Sequence, residues 1–184
     1  RNDISAEKLM KIVQDCQTDV HDFWSAYFYL HFYTVNTAKL SENVWKEAEK
    51  MLEQIQKYPQ KEEYQKLVEA DRINLYEREA EKGDDRKFLE ETDRVFKENL
   101  RGDPAWKLYE RKLVYLESKQ PDISREFERF LKKYPKVMDA YVEYSIYLCR
   151  NNKMTQAQRV YREGRKQTGM TSKRAEELRR KLGL

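Results

Sequence analysis

The chain has 184 residues, 39% hydrophobic and 38% charged, and a net charge of +4. Five glycines and four prolines are too few turn breakers for an all-β fold, and no apolar run approaches the roughly 20 residues that span a membrane. Two cysteines, Cys16 and Cys149, sit without metal-ligand spacing and point to a reducing compartment, nuclear or cytoplasmic.

So high a charge load suits helices that each keep one face in water. A first helix is predicted from Ser5, as N-cap, to about Gln17, with Leu9, Ile12, Val13 and Cys16 at three- and four-residue steps. A second, rich in aromatics, is predicted from about Asp19 to Tyr33. Ser41 caps a third, which carries Trp45, Ala48, Met51, Leu52 and Ile55 and stops before Pro59. A long helix follows from about Lys61 to Lys82, with Gly83 as its left-handed C-terminal cap. Asp84 or Asp85 opens the next, with Phe88, Leu89, Val95, Phe96 and Leu100. Pro104 starts a helix with Trp106, Tyr109, Leu113 and Leu116. "REFERFLKKYP" places Phe127, Phe130 and Leu131 on one helix that ends at Tyr134-Pro135. Tyr141, Tyr144, Ile146, Tyr147 and Leu148 mark another. Ala157, Val160 and Tyr161 mark a helix ending at Gly169, and a last basic helix begins near Thr171 or Ser172.

These roughly ten helices and their short loops favour antiparallel neighbours. Helix ends at Pro59, Pro104, Pro135 and Gly169 are spaced by 45, 31 and 34 residues, the range of helix–turn–helix repeats. One pair cannot bury its own apolar stripe, so pairs stack. The expected fold is all-α: antiparallel pairs stacked as a right-handed α-solenoid. It forms one domain over 1–184, with approximate pairs 5–35, 41–82, 84–119, 121–152 and 154–184 or a shifted pairing, within a longer protein.

In 105–135, Trp106, Tyr109 and Glu110 or Glu117, then Arg125, Phe127, Glu128, Arg129, Leu131, Tyr134 and Pro135, resemble the half-a-TPR (HAT) repeat, a relative of the tetratricopeptide repeat. The following pair keeps Tyr141, Arg159, Tyr161 and Arg162 but ends in Gly169 rather than proline. The resemblance implies a scaffold in an RNA-processing assembly.

Candidate sites are few. In "HDFWSAYFYLHFY", Phe23, Trp24, Tyr27 and His31 fall on one face, and Tyr29 and Tyr33 form a pair on the other. The helix is either a core helix that uses both faces or a groove wall offering Tyr29 and Tyr33 to a partner. His21 and His31, ten residues apart, share no helix face, and neither a metal nor a cofactor is expected. Asp71 lies on an apolar face and is expected to pair with an arginine of an adjoining helix. No nucleophile–base set or phosphate loop is present, so no enzyme activity is expected.

Charge is uneven. Residues 150–181 hold eleven basic and three acidic residues, a net +8, so the remainder carries −4. Arg159, Arg162, Arg165, Lys166, Arg174, Arg180 and Lys181 are the candidate partner contacts. They suit an acidic or extended protein segment, an RNA backbone, or simply a polar end to the repeat. The expected function is a non-catalytic protein–protein scaffold, with direct RNA binding as the alternative.

Overall fold

The computed structural model describes residues 8, 11, 15, 20–36, 43–59, 61–97 and 102–184, and the side chains of all but 36, 43–45 and 102–104. The expected first helix lies largely outside these; within it Lys8, Lys11 and Asp15 are helical and exposed. Leu9, Ile12, Val13, Cys16, the Ser41 cap, the Trp45 side chain and Leu100 also lie outside.

The described residues form nine helices and no strand: α1 (Phe23–Asn36), α2 (Asn43–Ile55), α3 (Glu62–Glu81), α4 (Arg86–Lys97), α5 (Gly102–Glu117), α6 (Ser124–Lys133), α7 (Met138–Arg150), α8 (Met154–Thr168) and α9 (Lys173–Lys181). The chain divides into two compact units, Arg1–Glu91 and Thr92–Leu184.

Helix ends follow local chemistry. Helix α1 starts later than Asp19 because Asp22 and Ser25 form a reciprocal cap. The Ser25 N–H donates to Asp22 Oδ1 at 2.7 Å and the Asp22 N–H donates to Ser25 Oγ at 3.1 Å. These bonds hold the Asp22 carboxyl below its usual range. Helix α5 starts at Gly102, before Pro104, which falls in the first turn, where backbone N–H groups have no helical partner. Gly83 and Gly169 end α3 and α8 with φ of 120° and 71°. Helix α6 ends at Lys133, before Tyr134-Pro135, and Ser172 caps α9 by accepting from the Ala175 N–H at 3.2 Å.

In the first unit, α2 and α3 pack on α1. The shared core holds Phe23, Ala26, Leu30 and Tyr33 of α1, Met51 and Ile55 of α2, and Val68 and Leu75 of α3. Trp24, which a core helix using both faces would bury, is instead 51% exposed, with Phe28 and Val35 also exposed. Helical spacing shows that these residues share a side, but the packing of α2 and α3 decides which side is inside. Asp71 is buried as expected, yet its partners come from α1. Thr34 Oγ1 donates to it at 2.8 Å and His31 Nδ1 lies 3.0 Å away, while the adjacent Arg72 bonds Glu91 at 2.9 Å.

The second unit has an aromatic core. Trp106 and Tyr109 of α5 meet Phe130 of α6 at ring distances of 5.1 and 5.2 Å, and Phe127 stacks on Tyr144 of α7 at 4.8 Å. Helix α7 is buried most fully, packing against α6, α8 and α9. Helix α8 reaches it through Gly164, where an added Cβ would lie 2.6 Å from Tyr141 Cβ and Cγ and also strike Met170 Cε. Beneath this core, Lys112 is almost fully buried. Its ammonium bonds Asp93 at 2.8 Å and Glu126 at 3.0 Å; Arg129 lies 3.1 Å from Asp93, and the Tyr109 hydroxyl donates to Glu126 at 2.5 Å. Burial alone would raise both carboxyls. Lys112, Arg129 and the Tyr109 hydroxyl outweigh it, and both are held below their usual values.

Gly164→Ala will destabilise the second unit by about 1–3 kcal/mol, the usual range for overpacking, read by urea denaturation. In an open helix the same change stabilises by up to ~1 kcal/mol, so the sign tests the contact. The depressed carboxyls of Asp93 and Glu126 stabilise the fold above their unfolded values, near 3.8 and 4.5, and that contribution is lost as pH falls through their folded values. Denaturation across the acid range will show stability falling there, and a shallower fall in Lys112→Met. Equal slopes would remove Lys112 from the network.

Candidate functional site

The basic candidates all lie in the second unit, and all are exposed. On α8 the inward face is Ala157, Tyr161 and Gly164. At 100° per residue, Arg159, Arg162 and Lys166 fall together on the opposite, outward face, and Arg165 lies to one side. On α9, Ala175 and Leu178 face inward. Lys181 and Arg174 turn toward α7, where, with Arg150, they rim a 310 Å³ pocket floored by Ile146, Cys149 and Leu178. Arg180 points outward. Burial raises the Cys149 thiol above its usual range, against the opposing effect of Lys181, so it stays a neutral apolar wall.

Ion pairing separates these cations. Arg174 pairs with Glu143, Arg150 lies 3.2 Å from Glu117, and Arg179, a basic residue outside the candidate set, lies 3.0 Å from Glu176. Among the described residues, Arg159, Arg162, Arg165, Lys166, Arg180 and Lys181 form no ion pair. The expected basic surface is therefore present, and part of it carries charge that the fold does not use. Arg174 differs: it closes the α7–α9 contact as well as facing solvent.

A larger opening lies nearby. A cleft of about 530 Å³ runs over α7, with α6 on one side and α8 on the other. Tyr141, Tyr144 and Leu148 form its floor, Leu131 and Lys132 stand on the α6 wall, and Gln156, Arg159, Val160 and Glu163 stand on the α8 wall. The Lys153–Asp122 ion pair, 2.7 Å, closes one end. That lysine and the Ser124 N–H, which donates to Asp122 Oδ1 at 2.8 Å, hold the Asp122 carboxyl far below its usual range. Burial, reinforced by Glu128, pushes the Tyr144 phenol up to about 12, so it is a neutral donor, bonding Glu128 at 3.2 Å. Sequence reading selected Arg159 but missed the cleft, because its walls come from helices brought together only by packing. The one local signal was Lys132, a cation two residues before the Tyr134-Pro135 stop.

Tyr29 and Tyr33 lie in the first unit and are withdrawn from the surface, 9% and 0% exposed. They belong to the core that joins α1 to α2. Burial raises the Tyr33 phenol to about 12. The exposed aromatics of α1 are Trp24 and Phe28, which sequence reading did not offer as contacts. His31 is engaged with Asp71, and His21 lies outside α1, so the histidines do not converge.

Among the described residues, no group of three or more His, Cys, Asp or Glu side chains is placed to hold a metal ion. No helix among them is long and apolar enough to cross a membrane. Comparison with known protein families, with curated proteins and with solved structures finds no match to this chain.

Proposed function

We propose that this chain is a non-catalytic protein–protein interaction scaffold of stacked antiparallel helix pairs, of the half-a-TPR or tetratricopeptide kind. It serves an RNA-processing or other multiprotein assembly in the nucleus or cytoplasm. One observation carries the reading: Arg159, Arg162 and Lys166 form an outward stripe on α8 with no carboxylate partner among the described residues. A positive surface whose charge is not used internally attracts an acidic segment and steers its approach.

Direct RNA binding through the same cations is the alternative. Stacking on exposed aromatics is the usual companion of single-strand recognition. Near α8 the aromatics Tyr141, Tyr144 and Tyr161 are buried, which favours a protein partner.

Reversing Arg162, Arg165 and Lys166 to Glu together will leave the fold intact, since exposed changes usually cost within about 0.5 kcal/mol each. It will strongly weaken the protein complex recovered from nuclease-treated extract, and the wild-type complex will dissociate as salt is raised. A complex that survives the reversal would reduce this surface to a solubility device. Single-stranded RNA binding tighter than the non-specific range of about 10⁻⁴ to 10⁻⁶ M at physiological salt would move the function to the RNA alternative.

A further inference from the structure

We infer that the exposed stripe of α1 is the docking face for the amphipathic segment Ser5–Gln17 of the same chain, which closes over it as an antiparallel helix. The inference concerns the first unit and does not depend on the basic face of α8.

Helix α1 has 14 residues and none is Asp, Glu, Lys or Arg, in a chain that is 38% charged. A helix that is apolar on all sides is normally covered on all sides. One side of α1 is still open. Trp24, Phe28, His31 and Val35 fall within an arc of about 60°, and all four are exposed, Phe28 at 62%. The stripe is held in shape. The Trp24 ring meets Tyr64 of α3 edge-on at 4.9 Å, and His31 Nδ1 lies 3.0 Å from buried Asp71. Four side chains are far fewer than the roughly 20–30 residues a side of a stable interface between separate molecules. A tethered segment has no such requirement, because its effective concentration is high.

The sequence supplies that segment. Leu9, Ile12, Val13 and Cys16 fall within an arc of about 100°, and Lys8, Lys11 and Asp15 fall outside it. Those three are the described residues of the segment, and they are helical and exposed, so its polar side faces water. Only Thr18 to Asp22 separate it from α1, a connection of the length that joins antiparallel helices. The register also agrees. Leu9, Ile12 and Cys16 precede Val20 by the same numbers of residues by which His31, Phe28 and Trp24 follow it. Both helices rise equally per residue, so these positions come side by side across the hairpin. The docked segment turns Lys8, Lys11 and Asp15 outward and replaces an uncharged face with a charged one.

The test uses the full chain with Cys16→Ala and Cys149→Ala, and compares two cysteine pairs under mild oxidation on non-reducing gels. Ile12→Cys/Phe28→Cys should close an intramolecular disulfide about tenfold or more faster than Lys11→Cys/Phe28→Cys, because only the first pair faces across the hairpin. Urea denaturation of alanine variants checks the contact without added cysteines. Phe28→Ala should lower the midpoint in the wild-type chain and change it little in an Ile12→Ala background. Equal rates for the two pairs, including no disulfide from either, or additive shifts in midpoint, would overturn the docking. A disulfide-linked dimer from the first pair would overturn it in favour of a second copy as the occupant.

Discussion

The architecture of the second unit depends on how closely α8 approaches α7. Gly164 has no side chain, so the backbone of α8 rests against Tyr141, and any Cβ there would occupy the space of that ring. Helices α6 and α8 both pack on α7. The gap between them is the cleft. One missing methyl group thus permits the close packing of α8 on the most buried helix. Close packing makes this constraint stiff, because an interior at crystal-like density transmits a displacement instead of absorbing it.

Two kinds of charge coexist in the same unit and have different roles. Lys112, Asp93, Glu126 and Arg129 form a partly buried network in which each charge has an opposite neighbour. In such a network desolvation offsets much of the attraction, while removal of one partner leaves a buried charge unpaired. The cations of the α8 outward face are the reverse case. They are solvated and make no ion pair among the described residues. The contrast separates paired from solvated charge more sharply than the overall +8 of the segment does.

Much of the fold was legible in the sequence because it is written in local chemistry. Gly83 and Gly169 end helices where a positive φ is needed, Tyr134-Pro135 stops α6, and Ser172 caps α9. The aromatic core around Trp106, Tyr109, Phe127 and Phe130 follows from helical spacing. What depends on neighbours was not legible. Trp24 and Tyr33 lie on different sides of one aromatic helix, and only the docking of α2 and α3 decides that Tyr33 is buried and Trp24 exposed. Asp71 was expected to meet an arginine, but the local geometry offered His31 and Thr34, 40 and 37 residues away. Lys112 reads as one more solvated lysine until α4 and α6 close over it. The cleft is a product of packing alone, and so only Arg159, chosen for its charge, was found in advance.

The central claim is that the basic face of α8 in the second unit binds an acidic protein segment. The most direct test is site-specific photocrosslinking. A benzoylphenylalanine placed at exposed Gln156, on the cleft wall, is activated in nuclease-treated extract, and the adduct is mapped by peptide mass spectrometry. The account predicts a crosslink to one protein, at a segment rich in Asp and Glu, that fades as salt is raised and competes with added acidic peptide. A crosslink to a basic or uncharged segment, an adduct indifferent to salt, or no protein adduct at all would contradict it.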